Sequence, residues 1–182
     1  MNVQGLQKLT LLDYPGKVAC TVFLAGCNFR CPFCHNASLV THIDAEAEIP
    51  KEEVLSFLKK RSGVLDGVCI TGGEPLLAPD LADFIREIKR MGYAVKLDTN
   101  GSHTEKLKLL IEAGLIDYVA MDIKNAPGKY AVTVGLSDYD PANVIESAAY
   151  LMAGDIPYEF RTTVVREFHK RGDFEEIGRW LK

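Results

Sequence analysis

The 182-residue sequence contains no apolar run approaching membrane-spanning length, which for a helix is about 20 residues. Its first ten residues, MNVQGLQKLT, lack the apolar core of a secretory leader. Low-complexity segments, internal repeats and long linkers are absent, so one globular domain over residues 1–182 is expected. Excess positive charge is missing too. The 21 Lys and Arg stand against 25 Asp and Glu, a formal charge of −4, with no general reason to expect nucleic acid as a partner. No nucleophile, base and orienting residue form a recognisable set. Of the five cysteines, three crowd into residues 27–34. With neither a leader nor a membrane span, the chain is expected in the cytoplasm. There, clustered cysteines bind metal or do redox work more often than they form disulfides.

What is present is a hydrophobic fraction of 47%, enough for a real core, arranged as β-branched runs alternating with amphipathic stretches. Strands are predicted over Val18–Leu24, Gly67–Thr71, Ala94–Asp98, Tyr118–Met121 and Tyr158–Val165. Helices are predicted over Glu52–Arg61, Asp80–Met91, Thr104–Ala113, Ala142–Met152 and Phe174–Leu181. Within the second of these, Leu81, Phe84, Ile85 and Ile88 share one face, and Gly92 stops it. Strand–helix alternation of this kind implies an α/β fold with a parallel sheet and right-handed crossovers.

Ligands of parallel sheets gather at the carboxyl ends of the strands. Here the first strand runs into Gly26 and Cys27, the second into TGGEP (71–75), the third into DTNG (98–101) and the fourth into MDIK (121–124). The fifth carries FRTTVV (160–165). Polar, glycine-rich and charged strand ends are therefore expected to meet at one rim.

The densest of these segments is GCNFRCPFCHN (26–36), with cysteines spaced C-x3-C-x2-C. Three thiolates from one loop can hold three corners of an iron–sulfur cube, which ordinarily takes four. A zinc site of Cys27, Cys31, Cys34 and His35 is one alternative, although adjacent residues seldom reach the same tetrahedral ion and no second cysteine pair exists. A thioredoxin-like role for CPFC is another, but it leaves Cys27 unexplained. Cys20 and Cys69 lie inside apolar strands and are expected to be buried, inert thiols. His42, His103 and His169 sit in polar loops and are expected at the surface.

C-x3-C-x2-C with the aromatic Phe33 before its last cysteine, followed by GGEP at 72–75, resembles the radical S-adenosylmethionine (SAM) superfamily. LLDYPGKVACTVFLAGCNFRCPFCHN (11–36), TGGEP, LDTNG (97–101) and MDIK narrow the likeness to the activating enzymes of glycyl radical enzymes. The opening GLQKLTLLDYPGK is most like the activating protein of anaerobic ribonucleoside-triphosphate reductase. The fold implied by this resemblance is a partial (βα)6 TIM-like barrel, here ending before the sixth strand and before the family residue near SAM that follows it. Implied cofactors are a [4Fe–4S] cluster on Cys27, Cys31 and Cys34, with SAM chelating the open iron. Phe33 and the backbone of Cys34 and His35 would contact the adenine. Gly72 and Gly73 would let the backbone approach the methionine amino group closely, and Glu74 would bind there or orient the loop. Asp98, Thr99, Asp122 and Lys124 would lie near SAM, the first three able to hold a monovalent cation. Arg161 would meet the SAM carboxylate or join a structural ion pair.

The implied reaction is reductive cleavage of SAM to methionine and a 5′-deoxyadenosyl radical, which takes hydrogen from a glycine Cα of the partner enzyme. Implied partners are a glycyl radical enzyme, an electron donor of the flavodoxin or ferredoxin type, no nucleic acid and no membrane. Asp13 to Gly16 matches the DGPG-like segment that receives the partner's glycyl loop, with Tyr14 in place of the usual glycine. Between Cys34 and Gly72 there is one loop and one helix, too little for a ferredoxin-like insert. Competing readings are a pyruvate formate-lyase-type activating enzyme, a radical SAM enzyme acting on a small molecule such as a deazapurine precursor or on a peptide, and a non-enzymatic zinc- or cluster-binding module.

Overall fold

A computed structural model describes residues 1–182. The chain builds β1 (Val3–Thr10), β2 (Ala19–Leu24), α1 (Ser38–Thr41), α2 (Lys51–Lys60), β3 (Gly67–Gly72), α3 (Leu81–Arg90) and β4 (Ala94–Thr99). It continues through α4 (Thr104–Glu112), β5 (Tyr118–Asp122), α5 (Tyr130–Val134), α6 (Ala142–Ala153), β6 (Tyr158–Arg161) and α7 (Arg171–Trp180). One six-stranded sheet runs in chain order β1-β2-β3-β4-β5-β6. β1 is antiparallel to β2, and every later pairing is parallel.

Sequential order with right-handed crossovers sends every helix to the same side, so the sheet curls into an open partial barrel. The strands alternate accordingly. Val22 and Leu24, Val68 and Ile70, Val95 and Leu97, Val119 and Met121 face the helices within the buried apolar cluster. Val54 and Leu58 of α2, Phe84, Ile85 and Ile88 of α3, Leu107 of α4 and Val144, Ala148 and Leu151 of α6 complete it. The other face is of different character, since Thr21, Cys69, Lys96, Asp98, Tyr118, Asp122, Glu159 and Arg161 occupy the opposite positions of the strands.

All five expected strands and five expected helices are present, with shifted ends. β6 stops at Arg161 instead of Val165. It pairs on one side only, and beyond it Thr162 turns to donate its hydroxyl to the Ile123 carbonyl at 2.8 Å. α7 begins at Arg171, three residues before the expected Phe174, because Asp173 accepts the Lys170 amide at 2.7 Å and caps it. β1 was not foreseen. Its residues, VQGLQKLT, do not alternate cleanly, and two register irregularities interrupt its pairing, as an edge strand tolerates. The short helices α1 and α5 were also missed, being too brief to show a period. No strand follows β6, in keeping with the expected partial barrel.

Two histidines depart from expectation. His169 is 5% exposed, and the Val165 amide donates to its Nδ1 at 3.1 Å, which assigns the proton to Nε2 facing the Lys124 carbonyl at 2.8 Å. A polar sequence context hid this because the partners are backbone atoms, one of them in the extension of β5. His103 is half-buried, and burial, helped by Lys106, pulls it below the usual imidazole range. His42 is exposed as expected.

Candidate functional site

The carboxyl ends of the parallel strands open onto a cavity of about 600 Å³, within the size range of small-molecule and cofactor sites. Asp13, Cys27, Cys31, Phe33, Cys34, His35, Gly72, Gly73, Asp98, Thr99, Asp122, Lys124 and Arg161 all border it. Of the candidates read from the sequence, Glu74 and Gly16 alone do not. The rim expected from strand ends is therefore assembled.

The cysteine loop leaves β2 through Gly26, whose φ of 90° is the left-handed geometry glycine adopts without strain. It is seated on its far side by α5. The Arg30 amide donates to the Val134 carbonyl at 2.8 Å, and Gly135, at φ 72°, ends α5 where a Cβ would strike the Arg30 carbonyl. Phe29 is buried and packs edge-on against Tyr139, ring centres 4.9 Å apart. All three thiols are free and partly buried. The Cys27 sulfur accepts from the Phe29 amide at 3.3 Å and lies 3.8 Å from the Asn100 side-chain nitrogen. Burial pushes the Cys27 thiol up to about 11, and raises Cys31 despite the opposing charge of Lys124.

That donor set suits a cluster better than a lone ion. His35 adjoins Cys34 in the chain, and adjacent residues seldom reach the same tetrahedral ion. Three thiols on one loop, with hydrogen-bond donors on a sulfur and an adjacent cavity, match what holds and tunes an iron–sulfur cluster. Cys20 and Cys69 are fully buried, and burial pushes Cys20 up to about 12.

Gly72 and Gly73 border the cavity, but their lack of a side chain has another cause besides ligand approach. A Cβ on Gly72 would collide with the backbone of Leu24, and one on Gly73 with the Gly26 carbonyl. The Gly73 and Glu74 amides donate to the Leu24 and Gly26 carbonyls at 2.9 and 2.8 Å. These glycines bring the end of β3 hard against the start of the cysteine loop.

Glu74 is 1% exposed and turned inward. It accepts from the Leu76 amide at 3.0 Å, the Thr99 hydroxyl at 2.9 Å and the Asn100 amide at 2.7 Å. Burial outweighs these bonds and pushes its carboxyl up to about 7. Glu74 thus ties the tips of β3 and β4 together and does not reach the cavity. Asn100 passes the tie on, donating to Asn28 at 3.0 Å, while Asn28 donates to the Ser102 hydroxyl at 2.9 Å. Asn28, Asn100 and Ser102 escaped the sequence analysis. The available signal was three amide or hydroxyl residues within NFRC and TNGS, segments that read singly as turns.

Behind the thiols the inner face is ionic. Lys96 Nζ lies 2.6 Å from Asp98 Oδ1 and 3.6 Å from Glu159, and Lys124 Nζ lies 2.9 Å from Asp122 Oδ2. Arg161 reaches Asp98 Oδ2 at 3.2 Å and Asp122 Oδ1 at 3.4 Å, which settles it in an ion-pair network at the end of β6. Burial works against the Arg161 charge, yet Asp98 and Asp122 together raise its pKa. Lys96, 1% exposed, was also missed, although a lysine two residues before an aspartate in an apolar strand places both on one face.

Asp13 borders the cavity and accepts from the Thr21 hydroxyl at 2.6 Å. Gly16 lies apart in an exposed turn. Tyr14 between them is buried, its ring against Gly67 and 5.9 Å from that of Tyr118, so it fills the inner face where a glycine would leave a void. On the opposite side, Phe168 packs on Phe33 at 5.3 Å and His169 holds that segment to β5.

Known proteins share both sequence and shape. A Methanocaldococcus jannaschii protein named as a putative glycyl-radical enzyme activating enzyme is 33% identical over 187 residues, covering 99% of this chain and 75% of that one. A pyruvate formate-lyase-activating enzyme of Listeria monocytogenes is 29% identical over 176 residues, covering 90% and 68%. Among solved structures, SuiB of Streptococcus suis superposes with a TM-score of 0.64 at 16% identity, over 89% of this chain and 36% of SuiB. An anSMEcpe structure with bound AdoMet gives 0.65 at 17%, over 87% and 45%. The chain thus spans less than half of each of these two solved proteins, and their likeness is one of fold. The model of the Radical SAM superfamily matches residues 21–181, which include the three-cysteine loop, the GGEP turn and every strand tip that borders the cavity. This chain belongs to the radical SAM superfamily.

Proposed function

We propose that the protein activates a glycyl radical enzyme, an anaerobic ribonucleoside-triphosphate reductase. The observation that carries this reading is the three-thiol loop opening on a cavity of SAM-compatible size, in a chain 33% identical to a protein named as a glycyl-radical enzyme activating enzyme along almost its whole length. Cys27, Cys31 and Cys34 would hold a [4Fe–4S] cluster. What such a cluster supplies when bound is one electron to the sulfonium of SAM, yielding methionine and a carbon radical that can take hydrogen from a glycine Cα.

The chain's own residues bind, orient and shield. Phe33 offers a half-buried aromatic face for the adenine, and Gly72 and Gly73 present backbone at the cavity wall. Lys124, with Asp122, supplies paired charges suited to a zwitterionic amino acid. The Glu74–Asn100–Asn28 chain keeps the thiol loop in register with the strand tips. Asp13 stands at the cavity edge beside the exposed Leu11 and Leu12, where a partner's glycyl loop would enter.

A second reading, activation of pyruvate formate-lyase, is favoured by the 29% identity to the Listeria enzyme. The test is anaerobic reconstitution with iron and sulfide, then incubation with SAM, a reductant and each candidate partner. A glycyl-radical EPR doublet on the reductase, absent with Cys31→Ala, is the expected result. Cleavage of SAM with no radical on the reductase would reject the reductase as partner, and a doublet on pyruvate formate-lyase alone would favour the second reading.

A further inference from the structure

Resemblance assigns Asp98, Thr99 and Asp122 to a monovalent cation, and the residues present do not fit one. A hard cation needs oxygen ligands whose negative charge the protein has not already balanced. Here all four carboxylate oxygens already face a cation of the protein: Asp98 Oδ1 faces Lys96 at 2.6 Å and Oδ2 faces Arg161 at 3.2 Å. Asp122 Oδ1 faces Arg161 at 3.4 Å, and Oδ2 faces Lys124 at 2.9 Å. Thr99 is turned the other way, donating its hydroxyl to Glu74 at 2.9 Å and accepting the Gly101 amide at 3.1 Å. With Glu159 beside Lys96, three cations balance three anions, so an added ion would meet repulsion in a partly desolvated site.

We propose that Arg161 is the built-in cation of this site, bridging Asp98 and Asp122 in place of a bound alkali-metal ion and holding the tips of β4, β5 and β6 in position. Its planar fork is suited to two carboxylates at once, which a lysine ammonium is not. The topology makes the span possible. Asp122 is the register partner of Arg161, and Ala120, the register partner of Asp98, has no side chain beyond Cβ to block the path across β5. Arg161 is thereby a positioning residue for the cavity wall formed by Asp98, Asp122 and Lys124. The consequence is that stability and SAM binding are indifferent to the identity of the monovalent salt. The SAM half of this statement rests on the function proposed above, and the stability half does not.

The experiment compares KCl, NaCl and choline chloride at equal ionic strength. For the wild type, the melting temperature is expected to agree within about 1 °C across the salts. SAM affinity of the cluster-loaded protein is expected to agree within about twofold. Arg161→Met leaves the two carboxylates facing each other, and K+ or Na+ should then raise its melting temperature saturably while choline does not. Arg161→Lys keeps one charge and should respond less than Arg161→Met. A wild type stabilised by more than about 3 °C in K+ or Na+ over choline overturns the proposal. So does SAM binding about fivefold tighter in either ion. If Arg161→Met does not fold, the wild-type comparison still decides. Absence of SAM binding in every salt would reject the function proposed above and leave the melting comparison to judge Arg161.

Discussion

The two faces of the sheet are made by the same strands and are held by different forces. On the helix side, alternate residues such as Val22, Ile70, Leu97 and Met121 disappear into a continuous apolar cluster. On the inner side, charged residues stand between them, paired along the chain (Lys96 with Asp98, Lys124 with Asp122) and across strands (Arg161 with Asp98 and Asp122). Apolar burial is roughly proportional to area and indifferent to direction, so the outer face tolerates shifted helix ends. Ion pairs and buried hydrogen bonds depend on placement, and a half-satisfied inner face would be worse than an apolar one. The comparison teaches that stability is concentrated on one side of the strands and positional demand on the other.

The largest effect should come from breaking the outer face. Phe84 is fully buried in α3, and Phe84→Ala is expected to lose about 3–5 kcal/mol, read as a lowered denaturant midpoint. A loss below about 1 kcal/mol would mean that the core collapses around the gap, and the contrast between faces would weaken.

Next is the charge at Glu74, which sharpens the inner side. Its folded-state pKa, about 7, lies above the 4.5 of an ordinary glutamate, so between these values the folded state binds the extra proton. Its contribution to stability is therefore full below pH 4.5 and declines as pH rises through 7, by on the order of 3 kcal/mol. Subtracting the pH–stability profile of Glu74→Gln from that of the wild type should isolate this slope. A flat difference would show that folding leaves the Glu74 pKa unshifted.

The smallest of the three effects on stability tests the junction between the faces. Gly73→Ala must push against the Gly26 carbonyl, and overpacking of this kind costs about 1–3 kcal/mol. Because Gly26 precedes Cys27, iron retention after reconstitution should fall by more than the melting temperature alone would imply. Unchanged iron content would show that the cysteine loop does not depend on this contact.

Legibility in the sequence followed the same division. The five parallel strands and the helices between them were readable because periods of 2 and 3.6 are local signals. β1 was not, since an edge strand with polar residues on its exposed length carries no clean alternation. Thirteen of the fifteen candidate site residues border the cavity, for strand-end position and motif spacing are sequence properties. The burial of Glu74, whose role the resemblance left open between binding SAM and orienting the loop, and that of His169 were illegible for a shared reason. Each is polar in a polar segment, and each is buried by partners distant in the chain: Thr99 and Asn100 for Glu74, the Lys124 carbonyl for His169.

By itself, the sequence determined the superfamily chemistry: three thiols at C-x3-C-x2-C, glycines where two backbones meet, and charged residues at strand tips. Tertiary structure alone decided how those charges are spent against one another. Lys96 with Asp98 and Asp122 with Lys124 are pairs two residues apart, but the contacts of Arg161 with Asp98 and Asp122 and of Glu159 with Lys96 exist only at the register in which β4, β5 and β6 are joined. Spacing along a chain specifies which groups share a face, whereas the distance between groups on different strands is set by the fold.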